Sequence, residues 1–465
     1  MKLRILRLEI DKLFDRFDYR IDFTKSENSF WILTAPNGYG KSTILKIIKS
    51  FAYGDYFYFI RERFQSIRFF LSDGSTAEII HLDGDFESNQ VTIRTPAHQT
   101  KVKDPFGEGD EQSFLVDRAL PFLTRVGAKN WRHDRTGEIF DRIELLSRYG
   151  DHPILRRKFR REEWLENIRV SLSVFSIPTN RLKSEDDVDF NANPGIVIGG
   201  AHHVGAGSNG GTTSSLMVSA IAKDIKDRIQ TAIRKQFEIG RSKETSFPTR
   251  LIESLREGVA PARETVTESI KAVQEYEERF SRLGLVPNTG TTKQLNYHAE
   301  SSETAGMLVL KTYLDDIRSK FSLLDGLAKQ LDVFCTSINS LIAFKSIETS
   351  ADQGIVVRVF DGKREPLSLS VLSSGEQHLI VLIGKLVFGT DPESLVLIDE
   401  PEISFHPEWQ EKFLAILEEI RKLNGFSALI ATHSPILIGD RWENVIELAE
   451  QHRSTGEQLP LGGVA

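Results

Sequence analysis

The chain has 465 residues, 40% of them hydrophobic and 27% charged, with a net charge of −7 and one cysteine. This length accommodates two or three domains with sizeable cores, and the negative charge argues against a surface that binds polyanions generally. One cysteine excludes an intramolecular disulfide and a cysteine-based zinc site, which fits a reducing compartment. The longest apolar run, near Leu379, is interrupted by Lys385. We therefore expect a cytoplasmic protein that neither enters secretion nor spans a membrane.

The N-terminal region is rich in short apolar runs and alternating patterns that are typical of strands. Strands are expected at 3–10, 19–23, 30–33, 67–71, 77–82, 91–94 and 171–177. After the third of these strands, a glycine-rich turn is followed by Ile44, Leu45, Ile47 and Ile48 at helical spacing. The order of strand, glycine-rich turn and helix is the context that a phosphate-binding loop requires.

Composition divides the chain into four segments. These segments are 1–182, 183–214, 215–345 and 346–465. The second is polar and glycine-rich, which predicts a mobile loop or a domain boundary. The third is helical in pattern almost throughout, whereas strand signals return in the fourth. We therefore expect an α/β domain formed by both ends of the chain and split by a long α-helical insertion.

The helical segment has expected interruptions and one strong apolar stripe. The interruptions are expected near Gly240, at 258–261 and at 284–290. The stripe steps by three and four residues from Leu314 to Ile342, as coiled coils do. A weaker apolar face at 266–283 offers an antiparallel partner within the chain, and a helix of a second copy is the alternative.

The glycine-rich turn at 35–43 has the sequence Ala-Pro-Asn-Gly-Tyr-Gly-Lys-Ser-Thr. Glycines let successive backbone N–H groups converge on phosphates, and a lysine places a charge on the β and γ groups. Ala35 stands where the usual pattern has glycine, which is compatible only with a negative φ. The predicted ATP-binding residues here are Asn37, Gly38, Gly40, Lys41, Ser42 and Thr43.

Two polar clusters follow apolar strands near the end of the chain. The run Leu395 to Ile398 ends in Asp399 and Glu400, and the run ending at Ala431 leads to His433. Asp399 and Ser42 are the predicted Mg²⁺ residues. Glu400 is expected to orient or deprotonate the attacking water, and His433 to contact the γ-phosphate. A capping or core role is the alternative for His433.

A second serine- and glycine-rich helix start lies at 372–377, which we call the signature-like segment. Unpaired N–H groups at a helix N-terminus favour an anion, so Ser373, Ser374 and Gly375 are predicted nucleotide contacts. A plain helix cap is the alternative. One nucleotide does not require two phosphate cradles in one chain. If two copies of the ATP-binding domain, or head, face each other, the phosphate-binding loop of one copy and the signature-like segment of the other can contact the same nucleotide. We therefore expect a head-to-head dimer. A higher homo-oligomer built from such dimers is compatible with this interpretation.

These four motifs, in this order, resemble the ABC-type P-loop ATPase heads of the SMC, RecF and OLD families. Asp399-Glu400-Pro401-Glu402 followed by His406-Pro407 is similar to the OLD-like branch. Residues 13–19 before the loop resemble stand-alone anti-phage defence ATPases, including the AriA subunit of PARIS and the PtuA subunit of Septu. The resemblance covers 1–95 and 345–440 and implies an ABC head split by a coiled-coil-like insertion.

The resemblance also implies a glutamine loop, for which Gln65, Gln90 and Asn180-Arg181 are the candidates. It implies an ATPase that acts as scaffold and sensor, binding a separately encoded nuclease of the TOPRIM or HNH type in response to a phage protein. No TOPRIM pattern follows His433, so the nuclease is expected on another chain. The alternative is a RecF- or SMC-like DNA-repair ATPase that binds DNA directly. The basic cluster at 156–161 is compatible with binding of nucleic acid or an acidic partner, and a solvated helix face is the other interpretation of this cluster.

Overall fold

The structure is a computed structural model. It describes residues 2–24, 29–81, 90–103, 113–127, 130–134, 137–149, 152, 155, 162–179, 213–257, 261–286, 304–359, 366–403 and 405–454. The chain forms two compact units. The first contains residues 1–197 and 389–465, and the second contains residues 198–388.

Seventeen strands lie within the described residues. In chain order they are β1 (Ile5–Leu13), β2 (Phe17–Asp22), β3 (Phe30–Thr34), β4 (Ser66–Leu71), β5 (Thr76–His81), β6 (Gln90–Arg94), β7 (Gln99–Lys103), β8 (Leu123–Arg125), β9 (Asn130–His133), β10 (Ile139–Asp141), β11 (Val174–Ile177), β12 (Lys345–Ser350), β13 (Gly354–Val359), β14 (Pro366–Leu367), β15 (Leu395–Asp399), β16 (Ser427–Ala431) and β17 (Val445–Glu447).

The helices are α1 (Lys41–Tyr53), α2 (Tyr58–Arg61), α3 (Ser113–Ala119), α4 (Arg142–Tyr149), α5 (Glu163–Ser171), α6 (Thr213–Glu257), α7 (Arg263–Arg282), α8 (Thr304–Asn339), α9 (Ser374–Phe388), α10 (Pro407–Asn424), α11 (Pro435–Ile438) and α12 (Leu448–Ser454). Short 3₁₀ turns occur at Leu369–Val371 and Trp442–Asn444. Among the helices described, none combines the length and the apolar character needed to cross a membrane.

A five-stranded parallel sheet forms the centre of the first unit, in the order β11-β15-β16-β3-β17. Its middle strands are apolar on both faces, and Leu397, Leu429 and Ile430 are fully buried. Continuous apolar strands are typical of parallel sheets covered on both sides. Because every strand runs the same way, all five carboxyl ends meet at one edge, where ligands bind in open α/β sheets.

A six-stranded antiparallel sheet, in the order β2-β1-β4-β5-β6-β7, shares a core with α1. Phe51 of α1 stacks on Phe69 of β4 with ring centroids 3.9 Å apart. Ring stacking and apolar burial therefore fix the helix that begins at the glycine-rich turn. A separate small core around Trp131, Phe140 and Tyr149 joins the three-stranded sheet β10-β9-β8 to α3 and α4.

In the second unit, α6, α7 and α8 pack together, and β12, β13 and β14 form a small antiparallel sheet. The apolar stripe of α8 is buried, with Leu314, Leu324, Leu331 and Ile338 each at most 1% exposed. Its partners are helices of the same chain, which agrees with the first of the two interpretations left open by the sequence. Arg279 of α7 also donates to Asp325 and Asp332 of α8, at 3.0 and 2.5 Å.

Two local predictions were wrong. The interruption expected at Gly240 is absent, because α6 continues through this glycine. A Cβ at residue 240 would lie 3.3 Å from Lys320 Cε, near the end of a flexible side chain. The packing of α6 against α8 outweighs the low helix propensity of this single glycine. The strand expected from residue 171 begins at Val174, since Ser171 is the last residue of α5.

Several sequence predictions fall on residues that the structure does not describe. These include the basic cluster at 156–161, Asn180-Arg181 and residues 183–212 of the glycine-rich segment, whose last two residues begin α6. The fourfold division of the chain stays a prediction. The compact units group β12 to β14 and α9 with the long helices.

Candidate functional site

Four strand ends bring the candidate site together at the carboxyl edge of the parallel sheet. β3 leads into the glycine-rich turn, β11 into Thr179, β15 into Asp399 and Glu400, and β16 into Thr432 and His433. Register places Asp399 opposite Ala431, and Ala431 opposite Leu33. The parallel topology therefore collects residues separated by more than two hundred positions.

The glycine-rich turn has the geometry of an anion cradle. Gly38 and Gly40 have φ values of 87° and 84°, which L side chains rarely adopt, whereas Ala35 keeps a negative φ. Helix α1 begins at Lys41, and Gly40 provides no side-chain cap. The first N–H groups of α1 therefore face the turn without a capping side chain, as phosphate binding requires.

Lys41 is 5% exposed and lies at the centre of the edge. Its Nζ donates to the carbonyl oxygens of Ala35 and Pro36, at 2.8 and 3.4 Å, and lies 2.5 Å from His433 Nε2. Burial lowers the pKa of Lys41, and the charges of Glu400, Asp399 and Glu402 oppose that decrease. The charges of these three carboxylates thus favour the ammonium form of Lys41 against the effect of burial.

Asp399 is held from two sides by hydroxyl groups. Ser42 Oγ donates to Asp399 Oδ1 at 3.0 Å, and Thr179 Oγ1 donates to Oδ2 at 3.1 Å. These are hard oxygen ligands of the kind that Mg²⁺ prefers. The described residues contain no cluster of three or more histidine, cysteine or acidic groups that could hold a metal. The Ser42–Asp399 pair fits a Mg²⁺ ion that takes its remaining ligands from phosphates and water.

Glu400 adopts a left-handed backbone conformation with φ of 45°, which is uncommon outside glycine. Its N–H donates to Ala431 O at 2.9 Å, and its carboxylate lies 3.9 Å from His433 Nε2. Strained backbone occurs preferentially at functional sites because the surrounding structure must maintain it. This left-handed residue turns the chain directly after Asp399. The Asp399 carboxylate therefore contacts Ser42, whereas the Glu400 carboxylate lies near His433.

The loop after β16 is anchored by Glu402, for which the sequence suggested no role. Glu402 Oε1 accepts hydrogen bonds from His433 N at 2.7 Å and from Thr432 Oγ1 at 2.8 Å. Thr179 and Thr432 are further contributors that sequence reasoning missed. The run Asp-Glu-Pro-Glu could have indicated Glu402, and Thr432 lies directly before the predicted His433, whereas Thr179 carries no local signal.

The signature-like segment lies in the second unit and starts α9. Ser373 and Glu376 form a capping box, in which Ser373 N donates to Glu376 Oε2 at 2.7 Å and Glu376 N donates to Ser373 Oγ at 3.3 Å. Lys345 Nζ donates to both carboxylate oxygens of Glu376, at 3.1 and 2.9 Å. The cap considered as an alternative is thus present, and nucleotide contact by Ser373, Ser374 and Gly375 stays a prediction.

The remaining predicted residues lie on the first unit. Asn37 and Gly38 are exposed, and Ser42 and Thr43 are half-buried in the first turn of α1. Of the glutamine-loop candidates, Gln65 precedes β4, and Gln90 pairs with Lys103 at the start of β6. These positions alone do not select one of the two glutamines.

The protein-family comparison matches residues 234–439 to the model described as "AAA domain, putative AbiEii toxin, Type IV TA system". Protein ea59 of Escherichia phage lambda is 39% identical over 67 residues, which are 14% of this chain and 13% of ea59. The similar stretch is therefore a small part of both proteins.

The solved structures that are similar include two Smc head domains. One, from Pyrococcus furiosus, has an extended coiled coil and is bound to the C-terminal domain of ScpA; the identity is 11%, with 96% of this chain and 93% of that chain covered. The other, from Pyrococcus yayanosii, has a coiled coil and joint; the identity is 12%, with 96% and 95% covered. Both TM-scores are 0.34, too low to establish a common fold.

The family match contains the signature-like segment, Asp399, Glu400 and His433, and it begins after the glycine-rich turn. It covers fewer than half of the 465 residues. Residues 234–439 are thus similar in sequence to this AAA domain family, and the described residues form a mixed α/β protein.

Proposed function

We propose that the protein hydrolyses ATP in a Mg²⁺-dependent reaction at the carboxyl edge of its parallel sheet. The observation that carries this proposal is the convergence of Lys41, the Ser42–Asp399 pair, Glu400 and His433 from three strand ends. Each supplies a different requirement of phosphoryl transfer, namely phosphate binding, metal binding, water activation and γ-phosphate contact.

In this mechanism, the uncapped N–H groups of α1 and the Lys41 ammonium bind the β and γ phosphates. Ser42 and Asp399 would hold Mg²⁺, which supplies charge neutralisation on the phosphate oxygens when bound. The Glu400 carboxylate accepts a proton from, or orients, the attacking water. His433 donates from its imidazole to the γ-phosphate. Its 2.5 Å contact with Lys41 puts both groups within reach of one phosphate.

We further propose that two copies act as a head-to-head dimer, in which the signature-like segment of one copy contacts nucleotide held by the other. Ser374 is exposed at the start of α9, so its backbone is accessible to an incoming group. A higher oligomer would be built from such dimers.

At the level of biology, the proposal is an ATPase that senses a phage protein and controls a separately encoded TOPRIM or HNH nuclease. Support comes from the resemblance of the motifs to anti-phage defence ATPases. The matched family model is itself described as a putative toxin of a type IV toxin–antitoxin system. A defence role is more consistent with that description than chromosome maintenance.

The first experiment measures phosphate release by the purified chain with and without Mg²⁺, alongside cleavage of DNA and RNA. The expected result is Mg²⁺-dependent ATP hydrolysis without cleavage of either nucleic acid. A chain that releases no phosphate, alone or with its co-purifying partners, would contradict the ATPase proposal.

The second experiment purifies tagged Glu400→Gln and Lys41→Ala proteins from the native host and identifies the molecules that accompany each. A nuclease that accompanies the ATP-retaining Glu400→Gln protein and is reduced with Lys41→Ala supports a nucleotide-controlled effector. DNA in place of a nuclease would favour the RecF- or SMC-like alternative.

A further inference from the structure

Glu402 connects two loops at the carboxyl edge that are otherwise far apart in sequence. It follows β15, yet its Oε1 accepts from the backbone N–H of His433, which follows β16. The same oxygen accepts from Thr432 Oγ1, and Thr432 is fully buried. One carboxylate oxygen therefore fixes both the backbone that carries His433 and the residue before it.

The second oxygen of Glu402 behaves differently. Oε2 is buried and has no hydrogen-bond partner among the residues that the structure describes. Burying an unpaired carboxylate oxygen costs free energy, so its retention at this position calls for a functional explanation.

The residues next to His433 are held by hydrogen bonds that do not involve Glu402. Ser434 N donates to Thr432 Oγ1 at 3.0 Å, and Ser434 Oγ donates to Gln410 Oε1 at 2.6 Å. These bonds hold the residues on either side of His433. The His433 N–H itself is held by Glu402, so the orientation of this peptide depends on that carboxylate.

We propose that Glu402 is a positioning residue that fixes His433 for contact with the γ-phosphate. The inference rests on the proposed function of the site. Without the carboxylate, the His433 peptide is free to rotate, and its imidazole leaves the position 2.5 Å from Lys41 Nζ and 3.9 Å from Glu400. Displacements of about 1 Å at a reacting group can lower rates by about a hundredfold.

The test compares affinity for the non-hydrolysable analogue AMP-PNP with affinity for ADP, because ADP has no γ-phosphate. Glu402→Ala should weaken AMP-PNP binding by about tenfold and leave ADP binding within about twofold, since one charge-assisted contact is lost. Glu402→Gln keeps an acceptor oxygen and should restore most of the preference. Thr432→Val removes the hydroxyl that donates to Glu402, so it should weaken AMP-PNP binding to a smaller extent than Glu402→Ala does. Thr432→Ser retains the hydroxyl and should bind AMP-PNP normally.

Glu443→Ala, an exposed acidic residue outside the site, is the matched control and should change neither affinity. If Glu402→Ala keeps the wild-type ratio of AMP-PNP to ADP affinity, the inference is wrong. An equal loss for both ligands would show a general structural role and would also overturn it. If Glu402→Ala does not fold, Thr432→Val provides the test. A wild-type ratio of AMP-PNP to ADP affinity in Thr432→Val would then contradict the inference.

His433→Ala separates this inference from the proposed function. If it loses the AMP-PNP preference while Glu402→Ala does not, only the positioning role fails. If the wild-type chain binds neither ligand, the ATP site itself is disproved.

Discussion

The starts of α1 and α9 are both rich in glycine and serine, but their chemistry differs. At α1, Gly40 is left-handed and provides no side-chain cap, and Lys41 adds a positive charge. At α9, Ser373 and Glu376 cap each other, and Lys345 neutralises the carboxylate. The N–H groups at the start of α1 are available to bind an external anion. At the start of α9, the Glu376 carboxylate already accepts a hydrogen bond from the backbone. Similar composition at two helix starts therefore does not imply equal readiness to bind phosphate.

The largest expected effect tests the first helix start. Lys41→Ala should weaken ATP binding by about a thousandfold, because both the charge and its hydrogen bonds to phosphate are removed. Lys46→Ala, on the exposed side of the same helix, should bind normally. Isothermal titration with ATP and Mg²⁺ measures both. If Lys41→Ala binds ATP with normal affinity, the start of α1 is not the phosphate-binding site, and α1 and α9 do not differ in the way proposed.

Glu400→Gln should keep ATP affinity within a few-fold and slow hydrolysis by about a hundredfold, since only the water-activating carboxylate changes. Single-turnover phosphate release is the measurement. Glu447→Gln changes an exposed carboxylate at the end of β17, on the same sheet edge, and should hydrolyse normally. Comparable slowing in both variants would indicate a general charge effect instead of a specific role for Glu400.

A mixing experiment tests whether the second helix start serves a neighbouring copy. Lys41→Ala and Ser373→Arg should each be inactive alone, but a mixed dimer would contain one site with both defects and one with neither. Mixtures should therefore regain up to about a quarter of wild-type turnover when the subunits combine at random, because half the dimers are mixed and each retains one of two sites. Turnover no greater than the sum of the parents would argue against a shared site.

The smallest expected effect concerns the internal cap of α9. Glu376→Gln should destabilise the protein by about 1 kcal/mol, as loss of a helix cap does. Burial raises the pKa of Glu376, but hydrogen bonds from Lys345 and Ser373 outweigh it, so the pKa lies below the ordinary value. The carboxylate thus stabilises the fold above about pH 4.5 and loses that contribution as the pH falls through the folded-state pKa.

Urea unfolding of wild type and Glu376→Gln between pH 7 and pH 3.5 measures this contribution. The difference in unfolding free energy should shrink as the pH falls. Glu419→Gln, exposed on α10, should stay within about 0.5 kcal/mol of wild type. A difference that grows on acidification would show that Glu376 is not a stabilising carboxylate.

The elements at the candidate site were predictable because their signals are local. Glycines at 38 and 40, the strand before them and the apolar helix after them all lie within one short stretch. The runs before Asp399 and His433 likewise indicated buried strands, and β15 and β16 are such strands. Polar residues at the ends of parallel strands meet by topology, so their convergence followed from the fold class.

The remaining contacts depend on tertiary pairing, for which the sequence has no local signal. Thr179 reaches Asp399 because β11 pairs with β15, and no periodicity specifies that pairing. Glu402 was visible in the motif, but its hydrogen bond to His433 requires the register of β15 against β16. Gly240 was mistaken for a helix end because the packing of α6 against α8 overrides the low helix propensity of one glycine.

The central sheet also constrains how the protein is made. β3, which leads into the glycine-rich turn, pairs with β16 and β17, formed by residues 427–431 and 445–447. A ribosome adds roughly 5–20 residues per second, so β3 waits on the order of tens of seconds for both neighbours. During synthesis its apolar residues Ile32 and Leu33 lack the strands that bury them. Chaperone binding to nascent chains should therefore persist until β16 and β17 have emerged, and ATP-binding activity should appear only after that point.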